Sequence, residues 1–208
     1  MVDGFRIVFV CTANICRSPM AEAMTRMSMS SYGTAFVVTS AGVHGHEGSP
    51  IAPGSGSALD ALGVVHAGHR GRMLTREIVD GSDLILTMEA AHRDVIAAHQ
   101  PEAAGRTFTL REFARLVDGE PAPGGRHTPT PGGGHTPAPG GRHTPALDGG
   151  HLTDRARALV AAAHRRRGQR PGIDDVSDPY GGPDEGYRTC AALIRSELDT
   201  ALRPFLTS

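Results

Sequence analysis

The chain contains no lysine and no tryptophan, and its 208 residues include only three cysteines. Arginine therefore supplies the permanent basic charge, and a formal net charge of -1 gives no electrostatic case for binding nucleic acid or an anionic membrane. The cysteines are odd in number and form no Cys-x-x-Cys pair, which argues against a disulfide framework and favours a reducing cytoplasm. No run approaches the roughly 20 apolar residues of a membrane span, and the short apolar start lacks a signal-peptide cleavage site.

The length suits one α/β domain with an additional segment. Apolar runs predict strands at 5–10, 35–39, 83–88 and 106–109. Helical patterns occupy 18–29, 55–62, 75–80, 89–98, 110–116, 153–166 and 184–202. Because strands alternate with helices, we predict a single doubly wound parallel four-stranded sheet with helices on both faces.

Residues 11–19, with the sequence CTANICRSP, are the most informative stretch. They lie between the first strand and a helix, where unpaired backbone N–H groups and the positive end of the helix dipole favour an anion. Arg17 adds a planar fork that can hold two phosphate oxygens. The same positive field favours the thiolate of Cys11. This segment therefore predicts a phosphate-sized anion site with a nucleophile at its centre, which is typical of a cysteine-dependent phosphatase.

Other residues of the segment fit that chemistry. The Ser18 hydroxyl can donate a hydrogen bond to the sulfur, and Asn14 tolerates left-handed backbone. Cys11 could instead be a buried structural cysteine, and it is the complete string in its strand–loop–helix context that favours the phosphatase. Cys16 is near enough to Cys11 for a protective disulfide under oxidant, although simple packing of the loop explains Cys16 equally well.

A second motif occupies residues 174–182, with the sequence DDVSDPYGG. Asp178 precedes a proline, which holds its backbone extended or in a turn. A carboxylic acid on such a loop can protonate the leaving group of a phosphate ester. Tyr180 offers an aromatic wall for a flat substrate. An ordinary Asp-Pro turn is the alternative, and the presence of the Cys11 segment favours the acid.

The 11–19 string together with Asp178-Pro179-Tyr180 resembles the low-molecular-weight protein tyrosine phosphatase family. The stretches Thr39–Gly42, His69–Leu74 and Asp83–His92 are similar to further family motifs. The resemblance covers residues 5–116 and 174–205, and it implies a phosphate-binding loop (P-loop) after the first strand.

The resemblance implies a protein-tyrosine phosphatase that forms a cysteinyl-phosphate intermediate and needs no metal or other cofactor. It implies Cys11 as the nucleophile, Arg17 as the phosphate clamp and Asp178 as the general acid. The residues implied to bind substrate or phosphate are Thr12, Ala13, Asn14, Ile15, Cys16, Ser18 and Tyr180. Those implied to support the loop are Ser40, through Asn14, and His69.

The sequence departs from the family at several points. Ala13 stands where the family often has glycine, which would cost strain if the backbone there has positive φ. Gly181 replaces a second aromatic after Tyr180, so the substrate wall is thinner. His44 and His46 lie in a variable recognition loop, where they either contact substrate or have no role.

Three alternatives stay open. An arsenate reductase on the same fold would relay oxidation through two further cysteines, and residues 80–95 contain none. A phosphoarginine phosphatase is a sibling activity. A non-enzymatic phosphate-binding or metal-sequestering protein is the third.

The leading interpretation makes the partner a phosphotyrosine-containing protein, such as a cognate bacterial tyrosine kinase. It predicts a cytoplasmic monomer or weak homodimer that binds neither nucleic acid nor membrane. The alanine, glycine and arginine content is typical of a GC-rich bacterial genome, of actinobacterial type.

An imperfect eight-residue repeat, first seen as GGRHTPTP, divides the chain. We predict the phosphatase domain at 1–117 and 173–208, a flexible repeat insertion at 118–152, and a helix within the insertion at 153–168. The repeat cannot bury enough apolar surface to offset the entropy of ordering, although its histidines could form a weak metal-binding tract. These histidines are His127, His135, His143 and His151. The run at 165–167, three arginines, is expected to be a solvated helix end or to bind an acidic partner.

Overall fold

The computed structural model describes residues 4–118, 149–168 and 172–206. Most of the predicted repeat insertion, with His127, His135 and His143, therefore lies outside the described residues. The hypotheses of a flexible linker and of a histidine metal tract concern that part of the chain.

A four-stranded parallel sheet forms the centre of the fold. Its strands are β1 (Phe5–Cys11), β2 (Phe36–Gly42), β3 (Leu84–Thr87) and β4 (Thr107–Thr109), in the order β2-β1-β3-β4. The predicted fold class is confirmed. Because β2 lies on one side of β1 and β3 lies on the other, the order of the strands reverses at β1, which places a crevice at its carboxyl end.

Seven helices surround the sheet in the described residues. They are α1 (Arg17–Ser28), α2 (Pro53–Ala61), α3 (Arg76–Asp80), α4 (Ala90–His99), α5 (Leu110–Val117), α6 (Gly149–Arg165) and α7 (Asp184–Leu206). Two 3-10 segments, Ser30–Ala35 and Pro101–Arg106, were not predicted. Both are short and lack the apolar periodicity by which a longer helix is recognised.

The alternation of side chains along β1 divides the core into two layers. Phe5, Ile7 and Phe9 face the larger layer, which includes buried side chains of α1, α2, α5, α6 and α7. Val8 and Val10 face the smaller layer, which includes residues of α3 and α4. Burial of both faces fixes the register of β1 and hence the position of Cys11 at its end.

Helix α6 packs on the larger layer of the core, far from the carboxyl end of β1. Its buried side chains are Leu152, Ala156, Leu159, Val160 and Ala163. Arg157 Nε donates to Asp83 Oδ1 at 3.1 Å, just before β3 begins. The helix therefore lies against the amino-terminal edge of the sheet.

The expectation of a solvated helix end is wrong for Arg167. Its guanidinium carbon lies 4.2 Å from the centroid of the Phe108 ring. Its Nε donates to Glu112 Oε1 at 3.0 Å and its NH1 to the Ala104 carbonyl at 2.8 Å. The planar cation therefore packs on an aromatic face and is paired with a carboxylate.

Candidate active site

The segment between β1 and α1 wraps around the buried thiol of Cys11, which is 2% exposed. We call residues 11–18 the P-loop. Asn14 has φ of 57°, the only positive φ of a non-glycine residue in the part of the chain that the structure describes. The strain is therefore at Asn14, and Ala13 in the family's glycine position carries none of it.

Three polar groups of Asn14, the side-chain Nδ2 and Oδ1 and the backbone carbonyl, hold it in this conformation through hydrogen bonds to four residues. Its Nδ2 donates to Ser40 Oγ at 2.8 Å and to Ser18 Oγ at 2.9 Å. Its Oδ1 accepts the backbone N–H of Arg72 at 3.0 Å, and its carbonyl accepts His69 Nε2 at 2.8 Å. These contacts offset the cost of an unfavourable backbone conformation. Ser40 and His69 thus contact the loop at the residue that most needs support.

The Cys11 sulfur has a hydroxyl neighbour. Ser18 Oγ lies 3.0 Å from Cys11 Sγ, and Ser18 is fully buried. The hydroxyl can donate to the sulfur whenever the sulfur carries negative charge. Ser18 lies at the start of α1, so the helix dipole acts in the same direction.

Arg17 is buried beside this loop and is bound by several acceptors. Its NH1 pairs with the Glu89 carboxylate and donates to the Val176 carbonyl at 2.9 Å, and its NH2 donates to Asp178 Oδ2 at 2.8 Å. Burial alone would lower the pKa of Arg17, but the hydrogen bond to Glu89 and the charge of Asp178 raise it. The Arg17 Nε–H is buried without a partner among the described residues, so this donor is available to an incoming anion.

The loop after residue 172 brings Asp178 to this site. Val176 N donates to the Met88 carbonyl at 2.7 Å, which ties the loop to the end of β3. Asp178 Oδ1 accepts the backbone N–H of Tyr180 at 3.2 Å. The carboxylate is half-exposed and stands at the mouth of the site.

A cavity of about 220 Å³ opens above the P-loop. It brings together most of the residues predicted from the sequence; its lining consists of Cys11, Thr12, Ala13, Ile15, Cys16, Arg17, His46, Asp178 and Tyr180. Asn14, Ser18, Ser40 and His69 do not line it and act from behind the loop. His46 is part of the lining and His44 is not. Of the two loop histidines, His46 is therefore the one placed to contact a substrate.

Glu89 and His92 belong to this site, although the sequence did not single them out for it. His92 is 4% exposed, and its Nε2 lies 3.0 Å from Thr12 Oγ1. Arg17 NH2 lies 3.3 Å from the same hydroxyl. Their position in the sequence could have indicated this. Both follow β3 directly, and the carboxyl ends of the neighbouring parallel strands β1 and β3 meet at the same edge of the sheet.

Burial lowers the pKa of His92, and the nearby charge of Glu89 only partly opposes this. The folded protein therefore binds this proton less readily than the unfolded chain, so His92 favours unfolding as the pH falls through the ordinary imidazole range. We predict that a His92→Asn variant, whose amide can still bond Thr12, loses less thermal stability between neutral pH and mildly acidic pH than the wild type. Thermal unfolding at each pH measures this, and equal losses in the two proteins would contradict it.

The other two cysteines are buried free thiols. Burial raises the pKa of Cys16 to about 11 and that of Cys190 to about 12. Both are therefore protonated at neutral pH and are poor nucleophiles.

The described residues contain no cluster of three or more His, Cys, Asp or Glu side chains that could hold a metal ion. Within the same ranges, no helix combines the length and apolar character that crossing a membrane requires.

A buried thiol at the carboxyl end of β1, with a buried guanidinium and a carboxyl group beside it, is the arrangement that a phosphatase of the cysteine-dependent class requires. The chain belongs to the low molecular weight phosphotyrosine protein phosphatase family, whose model matches residues 6–122. Its members are hydrolases of phosphate monoesters.

Curated relatives carry two activities in their names. A protein-arginine-phosphatase of Geobacillus stearothermophilus is 39% identical over 116 residues, which are 56% of this chain and 76% of the relative. The low molecular weight protein-tyrosine-phosphatase Etp of Escherichia coli K12 is 41% identical over 107 residues, 51% of this chain and 70% of the relative.

Solved structures of an arginine phosphatase and of a tyrosine phosphatase both have folds similar to that of this chain. The arginine phosphatase YwlE from Geobacillus stearothermophilus superimposes with a TM-score of 0.63 at 27% identity, covering 96% of this chain and 91% of that chain. A low molecular weight protein tyrosine phosphatase from T. tengcongensis gives 0.65 at 25% identity, covering 96% and 99%.

Proposed function

We propose that this protein hydrolyses phosphotyrosine in phosphorylated proteins through a phosphate ester of Cys11. The observation that carries the proposal is the convergence of Cys11, Arg17 and Asp178 in one cavity of about 220 Å³. The second thiol in the lining, Cys16, is a poor nucleophile, because burial raises its pKa to about 11.

In the first step, the Cys11 thiolate attacks phosphorus in line with the leaving phenolic oxygen. The S–P bond forms, the P–O bond to the phenol breaks, and the carboxylic acid of Asp178 gives its proton to that oxygen. The Nε–H of Arg17 and the P-loop N–H groups hold the remaining phosphate oxygens.

An entering dianion also changes the partners of Asp178. In this structure, Arg17 NH2 donates to Asp178 Oδ2 at 2.8 Å. A phosphate that takes this donor releases the Asp178 carboxyl group from Arg17, so that it can turn toward the leaving oxygen.

In the second step, the Asp178 carboxylate accepts a proton from water while the water oxygen attacks phosphorus. The S–P bond breaks and inorganic phosphate leaves. Ser18 Oγ, at 3.0 Å from the sulfur, donates a hydrogen bond to the departing Cys11 thiolate. The enzyme returns to its starting protonation state.

The walls of the cavity favour an aromatic ester. Ile15 and Ala13 give it apolar sides, and Tyr180 supplies a ring at the rim that can pack against a phenyl group. Within the described part of the chain, Asp178 is the only carboxylate in the lining. A phosphorylated guanidinium would need acceptors for its N–H groups, so phosphoarginine is the second candidate, supported by the similarity to the Geobacillus phosphatase.

Matched peptides test the choice of substrate. We expect kcat/KM for a phosphotyrosine peptide to exceed that for the same peptide with phosphoarginine by about tenfold or more, and phosphoserine to be slower still. A preference for phosphoarginine would overturn the proposed substrate and leave the Cys11 chemistry in place.

The proposed partner is a tyrosine-phosphorylated protein of the cytoplasm, such as a cognate kinase, and the proposed solution state is a monomer or weak homodimer. Arsenate reduction is disfavoured because Cys16 and Cys190, the thiols that would relay oxidation, are both buried and protonated.

Tyr180 should act on substrate affinity. Its side chain is 64% exposed, so its removal leaves the core intact. We predict that Tyr180→Ala raises KM for a phosphotyrosine peptide by roughly 2–10-fold with little change in kcat, the range expected for loss of one aromatic contact. Tyr180→Phe, which keeps the ring, is the matched control and should behave as the wild type. Equal KM values in all three proteins would show that Tyr180 does not contact the ring.

A further inference from the structure

A second cavity, of about 330 Å³, lies between α1, β2 and residues 65–72. It shares no lining residue with the cavity above Cys11. Its apolar side is formed by Pro19, Ala23, Val38, Ile51, Val65 and Ala67. The polar side contains Arg26, Arg70 and Arg72, together with His66 and His69. The volume lies at the lower end of the range for small-molecule sites.

The charges of this cavity are unbalanced. Among the residues that the structure describes, Glu22 is the only carboxylate in the lining. One of its oxygens accepts Arg26 NH1 at 3.2 Å, and the other accepts the Ser40 hydroxyl at 2.6 Å. Arg70 and Arg72 have no carboxylate partner within residues 4–118, 149–168 and 172–206; they donate to the carbonyls of His69 and Ser40. Two guanidinium charges therefore face the cavity without a counter-charge.

Arg72 is also held in place before any ligand arrives. Its Nε donates to the Ser40 carbonyl at 2.7 Å, and its backbone N–H donates to Asn14 Oδ1 at 3.0 Å. A side chain fixed in this way loses little freedom on binding an anion. Arg70 is exposed at the rim and can close on a ligand from outside.

We propose that this cavity binds a small organic phosphate, distinct from the substrate at Cys11. Arg70 and Arg72 hold the phosphate oxygens through charge-assisted hydrogen bonds. The carbon portion of the ligand packs on the aliphatic side formed by Val38, Ile51 and Val65.

Phenylphosphonate is a suitable probe, because its P–C bond is not hydrolysed and it carries both a dianion and an apolar ring. His66 lines the second cavity and His46 lines the cavity at Cys11. The imidazole resonances of these two residues, followed by NMR during a titration of the full chain, report the two sites separately. We expect two binding curves with different affinities.

Substitutions at the rim assign the second curve. Arg70→Gln should weaken the affinity reported by His66 about tenfold, the loss expected for a hydrogen bond to a charged group, and leave the His46 curve unchanged. Val65→Glu, at a residue that is 83% exposed, should weaken the same curve by charge repulsion. Arg188→Gln, which removes an exposed arginine paired with Glu185 on α7, is the matched control and should change neither curve.

The result that would overturn the proposal is a His66 resonance that does not respond, or one that follows the His46 curve in every variant. A missing response at His46 with a normal one at His66 would count against the proposed phosphatase site and not against the second cavity.

Discussion

Cys11→Ser is expected to abolish the hydrolysis of p-nitrophenyl phosphate, lowering kcat by about 10⁴-fold or more. Ser18 Oγ, at 3.0 Å, is the one side-chain hydrogen-bond partner of Cys11 in the described structure, and a hydroxyl is not a base that could activate serine. A thiolate attacks without such a base, whereas an alcohol at the same place does not. Steady-state release of p-nitrophenol measures the loss.

The matched control for this variant is Cys190→Ser. Cys190 is also buried, and its sulfur lies 3.7 Å from the Ser177 carbonyl, to which a serine hydroxyl can donate in its place. This variant should keep kcat within about threefold of the wild type, since it leaves the nucleophile untouched. Activity retained in Cys11→Ser, or lost equally in both variants, would remove Cys11 from the mechanism.

Asp178→Asn is expected to lower kcat/KM, which reports the first step, for phenyl phosphate by about 10²–10⁴-fold, the usual contribution of a positioned general acid. The loss should be much smaller for p-nitrophenyl phosphate, because its leaving group departs with little need of a proton. Asparagine keeps the shape of the side chain, and its carbonyl oxygen can still accept from Arg17 NH2, which bonds Asp178 at 2.8 Å in the native protein. Vanadate affinity should therefore stay within a fewfold of the wild type.

The dependence on the leaving group separates proton donation from a structural role. An equal fall of kcat/KM for both esters would show that Asp178 only shapes the cavity. Asp184→Asn, an exposed carboxylate in the first turn of α7, is the control and should leave both rates unchanged.

The sheet and the P-loop could be predicted from sequence because their signals are local. Apolar strands alternate with helical patterns, and the string at 11–19 contains its own strand end, anion-binding groups and helix start. The loop that carries Asp178 could be predicted because a proline and two glycines mark it. The acid role assigned to Asp178 needed the Cys11 segment as well, since the loop alone fits an ordinary turn.

The hydrogen-bond partners of Arg17 could not be predicted from local sequence. Glu89 lies 72 residues from Arg17 in the chain, and the Val176 carbonyl lies 159 residues away. In the sequence, Glu89 is also indistinguishable from an ordinary acidic residue before a helix. Only the parallel packing of β1 and β3, and the hydrogen bond that ties Val176 to Met88, bring them to the guanidinium.

For Arg167, distant contacts overturned a prediction that was made from local sequence. Three consecutive arginines after an alanine-rich helix indicate a solvated end, since nothing nearby in sequence offers a partner. The contacts come from Phe108 and Glu112, on β4 and α5. Tertiary packing therefore reversed a sound local inference.

Trapping the intermediate would show whether Cys11 carries the phosphoryl group. Asp178→Asn should accumulate it during turnover of p-nitrophenyl phosphate, because this ester needs little acid in the first step while the second step lacks its base. The measurement is mass spectrometry of the rapidly denatured variant and its peptides. We predict one added phosphoryl group on the peptide that contains Cys11, and none in a Cys11→Ser/Asp178→Asn double variant. Continued turnover with no phosphoryl group on the protein, or with the group on another residue, would show that Cys11 is not the nucleophile.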